Sequence, residues 1–368
     1  MALHRLKGYG ANLGNRIDIQ LDKDFVVFQG CEQEALAVYL SGVLTMRLKE
    51  ATTIKHIRLH LRGVRRLSPD TQCSLPARTG RKRLCSETEF YSRTWNFHDG
   101  YREAPKTVPA GEYKYPFDVV MEGSLPATVE GLKEASISYL FTVEIGRRHV
   151  RDITLNKPLR VIRVPDLEPC SHDFTLDEVW ANKIAYRIGI QNRTVALGTR
   201  IDVDYVFASL LMGLKIAFIE SQLLEFRDFG LDPNNGRSAH VARTETIVCR
   251  DRYNLDEEYS SKAVESYQFS RSLQLPRALG QCIQDTEDMG VKVSHKLKIH
   301  VRMHNPDAHE SELRLAIPVL IYLSPYYRVW EDSFCGETIP LPETLNPSEE
   351  CPPAYGMHEL DQLYMPQD

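Results

Sequence analysis

Apolar residues recur at alternate positions along most of this chain, and that period of two limits the fold more than any other feature. Successive side chains of an extended strand point to opposite faces, so an alternating run gathers its apolar groups on one face. Ile17, Ile19 and Leu21 begin the pattern, and Ile57, Leu59 and Leu61 continue it with Arg58, His60 and Arg62 facing the other way. Val291 and Val293, then Leu297, Ile299, Val301 and Met303, repeat it late in the chain. Runs rich in β-branched and aromatic residues lie at 25–28, 35–48, 90–97, 113–120, 137–145, 201–207, 215–226, 246–249 and 313–323. No sustained 3.6-residue period accompanies them; residues 255–266 are the best helix candidate and read equally well as a polar loop. The expectation is an all-β protein with a dozen or more strands.

Strands joined by turns such as Asp232-Pro233-Asn234-Asn235-Gly236, without intervening helices, pair antiparallel and pack as sandwiches. One immunoglobulin-type sandwich uses about 100 residues, so a chain of 368 residues patterned this way to Arg328 implies two large ones in tandem. The joint is expected at Asn156–Cys170, where Pro158, Pro165 and Pro169 punctuate the sequence. This divides the chain into a first sandwich at 1–165, a second at 166–328 and a tail at 329–368. The tail carries six of the 20 prolines, nine acidic residues and no Lys or Arg, a composition expected to be disordered.

Charge and composition exclude several functions. Lys and Arg number 45 against 50 Asp and Glu, without the positive field of a nucleic-acid protein, so no nucleic-acid partner is expected. The opening MALHRLKGYG lacks the apolar core of a signal peptide. The greasiest stretch, Tyr205–Ile219, falls short of the ~20 residues of a membrane-spanning helix and contains Lys215, so it reads as buried strand. Eight irregularly spaced cysteines without a CxxC pair suggest reduced thiols in the cytosol.

Catalytic signatures are absent: there is no GxSxG, HExxH or GxxxxGK. Gly8, Gly10 and Gly14 have the wrong spacing for a dinucleotide loop and read as a flexible turn. His56 and His60 fall in a strand pattern, where they share a solvent face rather than a metal. His295, His300, His304 and His309 have no Cys or carboxylate at zinc-site spacing and read as solvated strand residues. Asn192-Arg193-Thr194 is a glycosylation sequon with no expected route to the secretory lumen. An enzyme would have to rely on Cys249 and scattered histidines, among which no nucleophile and base pair is visible. No catalysis, cofactor or metal is therefore expected.

The tail contains a binding motif, Pro352-Pro353-Ala354-Tyr355. Prolines preset the polyproline II helix, whose three residues per turn put Pro352 and Tyr355 on one face. WW domains take such a segment in an aromatic groove at little cost in conformational entropy. Two basic clusters, Arg62, Arg65 and Arg66 and then Arg78, Arg81, Lys82 and Arg83, fit either a patch for anionic lipid or a solvated loop. Arg65-Arg66-Leu67-Ser68-Pro69 resembles a basophilic kinase site with Ser68 as the acceptor.

The N-terminal half also carries a family likeness. Gly30, Leu40-Ser41-Gly42 with Leu44, Met46 and Leu48, and then Ile57, Leu59, Leu61 and Gly63 resemble the opening strands of the arrestin N-domain. Val108-Pro109-Ala110-Gly111-Glu112-Tyr113-Lys114-Tyr115-Pro116-Phe117, followed by Ser124-Leu125-Pro126 and Ile137-Ser138-Tyr139, is similar to that family's L-P-x-G-x-Y-x-Y/W-P-F segment. Val108 replaces the usual leucine, and Ala127-Thr128 stands where Pro-Ser is common. With the PPxY motif behind two sandwiches, the chain resembles a fungal α-arrestin, an arrestin-related trafficking adaptor. That resemblance implies a non-catalytic cytoplasmic adaptor, recruited peripherally to the plasma membrane and to endosome or Golgi membranes. It would dock the WW domains of a HECT-type ubiquitin ligase through Pro352, Pro353 and Tyr355, meet membrane transporters as cargo, and promote their ubiquitination and endocytosis. The lipid patch would comprise Arg62, Arg65, Arg66, Arg81, Lys82 and Arg83. The alternative within the resemblance is a signalling scaffold for a membrane receptor, as in ambient pH sensing.

Overall fold

Alternating side chains form strands almost everywhere in the computed structural model, which describes residues 16–68, 86–99, 105–148, 150–166, 174–230, 240–255 and 266–326. The first half runs β1 (Arg16–Leu21), β2 (Phe25–Gln29), β3 (Val38–Leu48), β4 (Thr52–Leu67), β5 (Ser86–Asp99), β6 (Lys106–Val108), β7 (Gly111–Met121), β8 (Ala135–Arg147) and β9 (Ile153–Val164). The second half runs β10 (Phe174–Trp180), β11 (Ile184–Ile190), β12 (Thr194–Ala196), β13 (Arg200–Ser209), β14 (Lys215–Gly230), β15 (His240–Asn254), β16 (Ser266–Gln274), β17 (Thr286–Asp288), β18 (Val291–His304) and β19 (Glu310–Tyr322).

Each half is a sandwich of one small and one large sheet. In the first, β1-β3-β7 faces β2-β9-β8-β4-β5, with β6 added to β4. In the second, β10-β11-β13-β16 faces β12-β19-β18-β14-β15, with β17 added to β18. Among the described strands pairing is antiparallel except at one place in each half, where a short early strand runs parallel to that half's last strand: β2 on β9 and β12 on β19. Inward residues of both sheets make each core. Leu44, Met46, Leu59, Phe117, Phe141 and Val143 fill the first, and Ile188, Tyr205, Phe207, Leu223, Leu297 and Ile299 the second.

A third, smaller core lies where the halves meet. Leu67, Val129, Ala135 and Ile137 of the first half pack there against Phe229, Ile283, Val291 and Val293 of the second. The β17–β18 hairpin supplies part of this contact. Its two loop residues, Met289 (φ 48°) and Gly290 (φ 80°), are both left-handed, the conformation that a tight two-residue hairpin requires. Gly290 also lies against β14, and a Cβ there would stand 2.5 Å from the Gly230 carbonyl oxygen.

The structure departs from the sequence reading in three places. The segment expected to be the joint is largely β9, paired with both β8 and β2. Pro158 is tolerated there because it lies opposite Leu140 of β8 while pairing with β2 begins only at Arg160. The greasy stretch Tyr205–Ile219, read as buried strand, spans the end of β13 and the start of β14, the runs expected at 201–207 and 215–226, with a turn at 210–214 between them. The Phe174–Trp180, Ile184–Ile190 and Ser266–Gln274 strands had no expectation: the first has a weak, polar-interrupted pattern, whereas the alternations Ile184, Tyr186, Ile188, Ile190 and Tyr267, Phe269, Leu273 were readable and were missed. The helix candidate beyond Leu255, Gly8, Gly10 and Gly14 and the acidic tail lie outside the described residues.

Candidate functional site

Strand β4 carries the described part of the basic cluster, and its parity separates the three arginines. Leu59, Leu61, Gly63, Arg65 and Leu67 point inward, whereas Arg62 and Arg66 point out. Arg62 and Arg66 keep 51% and 63% of their side chains exposed and pair with Glu89 (2.6 Å) and Glu87 (3.1 Å) on β5. Arg65 is 3% exposed. Its guanidinium donates to the Met289 carbonyl at 2.7 Å and to Thr88 Oγ1 at 3.2 Å, tying the first sandwich to the β17–β18 turn of the second. Arg65 is thus corrected from a lipid contact to an interface residue. Arg81, Lys82 and Arg83 lie outside the described residues, as do Pro352, Pro353 and Tyr355. Ser68 follows the last residue of β4, partly buried, with its backbone N–H donating to the Glu134 carbonyl at 2.7 Å.

Other polar groups crowd the same junction. Gln284 donates to the Thr128 carbonyl at 2.6 Å. Asp288 is held up at about 7, first by burial and then by its hydrogen bond with Glu32, against the opposing pull of Arg163. Arg163 in turn donates to the carbonyls of Gly30, Gly123 and Leu125 at 3.2, 2.7 and 2.9 Å.

The centre of the second sandwich holds a charged network that corrects the reading of His295. His295 lies opposite Glu225 in the β14–β18 register and is 2% exposed, not solvated. Its Nε2 is 3.2 Å from Glu225 Oε2 and 3.6 Å from Cys282 Sγ, and its Nδ1 is 2.6 Å from Asp285 Oδ1. Glu225 also accepts the Ile283 N–H at 2.7 Å and pairs with Arg227 at 2.5 Å, while Asp285 accepts the Ile321 N–H at 2.9 Å. Burial alone would push the His295 imidazole down, but the bonds to Asp285, Cys282 and Glu225 outweigh it and carry it up to about 11. Burial raises the Cys282 thiol, and it pushes Cys249 up to about 12.

Cysteine, histidine and aspartate in this order suggest nucleophilic catalysis, but a nucleophilic cysteine needs a lowered pKa and an open approach. Cys282 has neither, with its raised thiol and no exposure. The other histidines are less enclosed: His300 pairs with Glu312 at 3.4 Å, His304 with Glu310 at 3.8 Å, and His309 sits exposed beside Asp307. His60 bonds Thr94 at 2.9 Å, and His56 packs over Gly146. Among the described residues, Glu225, Cys282 and His295 are the group of three metal-ligating side chains whose donor atoms come within 4.8 Å of one another.

The parity of β18 could have found His295, because it occupies the inward position between Val293 and Leu297. Its partners could not be found by local spacing. Glu225 comes from β14, and Cys282 and Asp285 come from the segment before β17.

Comparison with known proteins agrees with this two-sandwich architecture. Residues 17–168 match the family described as arrestin (or S-antigen), N-terminal domain, and residues 180–326 match arrestin (or S-antigen), C-terminal domain. The chain is 87% identical over 368 residues to the HECT-type ubiquitin ligase-interacting protein apyA of Emericella nidulans, covering 100% of both chains. It is 41% identical over 375 residues to the HECT-type ubiquitin ligase-interacting protein creD of the same organism, covering 99% of this chain and 62% of creD. Paired β-sandwiches, each closed by one parallel strand and joined through a shared core, together with matches to both domains, place this chain in the arrestin family.

Proposed function

We propose that the protein is an arrestin-type adaptor that brings a WW-domain HECT-type ubiquitin ligase to membrane transporters. The observation that carries the reading is the full-length 87% identity to a protein named for its interaction with a HECT-type ligase. The sequence Pro352-Pro353-Ala354-Tyr355 supplies a physical means of docking, since a preset polyproline II segment fits a WW groove. The sandwiches would hold the cargo, and ubiquitination of that cargo would lead to its endocytosis. The adaptor performs no chemistry in this reading; the ligase supplies it. It would work from the cytoplasm, reaching the plasma membrane and endosome or Golgi membranes peripherally. Arg62 and Arg66, with Arg81, Lys82 and Arg83, would assist at an anionic surface.

The test is recovery of HECT-ligase WW domains by the full chain, compared with Pro353→Ala/Tyr355→Ala. The expected result is recovery by the unsubstituted chain and loss of at least tenfold in affinity for the double variant, about 1.4 kcal/mol. Equal recovery by both chains would overturn docking through the tail. Unchanged transporter turnover with altered receptor signalling in cells lacking the protein would favour the scaffold alternative.

A further inference from the structure

A buried cluster in the second sandwich has donor chemistry that adaptor function does not use. We infer that Glu225 Oε2, Cys282 Sγ and His295 Nε2 form a structural binding site for zinc. Zinc takes thiolate at about 2.3 Å and imidazole or carboxylate at about 2.0–2.1 Å, so adjacent donors in its tetrahedron stand about 3.3–3.6 Å apart. The cluster shows 3.6 Å between Cys282 Sγ and His295 Nε2 and 3.2 Å between His295 Nε2 and Glu225 Oε2. All three donor atoms lie within 4.8 Å of one another.

The surroundings support the same assignment. Metal-bound histidines commonly give their second ring nitrogen to a carboxylate, which fixes the tautomer and aims the ring. Here Asp285 Oδ1 holds His295 Nδ1 at 2.6 Å, leaving Nε2 directed at Cys282 and Glu225. Asp285 is itself fixed by the Ile321 N–H, and Glu225 by the Ile283 N–H and Arg227. A mixed sulfur, nitrogen and oxygen set suits zinc, whereas magnesium and calcium require oxygen ligands. The thiolate and the carboxylate together balance the ion's two charges. Binding displaces the Cys282 thiol proton and the Nε2 proton of His295, both released to solvent. Glu225 Oε1 stays with Arg227, so a water completes the coordination.

The three ligands arise from β14, from the segment before β17 and from β18. The ion would therefore pin residues 275–285 to the large sheet, beside Ile283 and Gln284, which reach the first sandwich. With Glu225 and Cys282 sealed from solvent, the role is structural.

The experiment measures the metal content of the full chain after growth with zinc and removal of loose metal by gel filtration. About one zinc per chain is expected, with loss of at least tenfold in bound zinc for Cys282→Ser and for His295→Gln and no change for Cys249→Ser. Replacement by cobalt should give a thiolate charge-transfer band that Cys282→Ser abolishes and Cys249→Ser retains. If the Cys282 and His295 variants fail to fold, X-ray absorption of zinc-loaded wild-type protein decides. A shell containing one sulfur and one imidazole upholds the site, and a shell of oxygen and nitrogen alone overturns it. Wild-type protein that takes up no zinc or cobalt, or metal content indifferent to both variants, also overturns it and leaves the cluster as a hydrogen-bonded ion network.

Discussion

The two sandwiches share an architecture and differ at their centres. The first is filled by shape: Trp95 packs on Phe117 and Phe141 at centroid distances of 5.3 and 6.3 Å, and Leu59, Leu61 and Val143 close around them. The second has a similar apolar shell, but Glu225, Cys282 and His295 occupy its interior, and Tyr205 bonds Ser221 at 2.7 Å. Apolar contact is non-directional, so it fills a core without choosing one arrangement of a loop. A buried hydrogen-bonded network is directional and costly when incomplete. The second sandwich needs such direction because the irregular segment between β16 and β17 must be placed against both its own sheet and the first sandwich.

The sharpest break of this comparison uses one substitution at each centre. Glu225→Gln keeps the shape but removes the anion facing His295, Arg227 and the Ile283 N–H, and should cost about 3–5 kcal/mol. Phe141→Leu, a smaller apolar side chain at a buried position of the first sandwich, should cost about 1.5 kcal/mol, from lost contacts and the part of the cavity that does not collapse. Urea titrations of the full chain read both values. Similar losses for the two variants would remove the distinction between a directional centre and a filled one.

Much of this difference was written in strand parity. The alternation Ile57, Leu59, Leu61 extends without slip through Gly63 to Arg65, and the alternation Val291, Val293, Leu297 passes through His295. A polar residue at an inward position of a strand announces a buried partner, and both residues have one. Treating Arg65 as one of a cluster of charges, and His295 as one of a scatter of histidines, hid that signal. The partners themselves were not legible. Met289 lies 224 positions from Arg65, and Glu225 lies 70 from His295; only the folded topology brings them together. Strand patterns were readable where one face is dry. They failed at β9, where Pro158 imitates a linker.

A smaller effect should separate the arginines of β4. Arg65→Met keeps the length of the buried stem but loses two hydrogen bonds, one of them across the junction, and should cost about 1–3 kcal/mol. Arg62→Met loses only an exposed pair with Glu89 and should change stability by about 0.5 kcal/mol or less. Denaturant midpoints measured in urea at low and high salt distinguish them, because salt screens the exposed Arg62–Glu89 pair and not the buried hydrogen bonds of Arg65. Equal effects would mean that Arg65 contributes no more to the junction than a surface charge.

The smallest expected effect is a pH dependence placed at the junction rather than in either centre. Asp288 titrates at about 7 in the folded chain against 3.8 for the ordinary residue, with burial as the main cause and Glu32 beside it. Below pH 3.8 the carboxyl is protonated in both folded and unfolded chains and costs nothing. Between 3.8 and about 7 the unfolded chain gives up the proton while the folded chain keeps it, so stability falls as pH rises. Above that window the penalty is constant. Solvent access to Asp288 reduces it to about 1 kcal/mol. Asp288→Asn should remove the penalty, stabilising the protein by that amount at pH 8 and leaving pH 4 almost unchanged. Urea denaturation at the two pH values tests this directly: an asparagine variant that is weaker at pH 8 would show that the pull of Arg163 on the ionised Asp288 outweighs the cost of its burial, making the junction a net stabilising salt bridge.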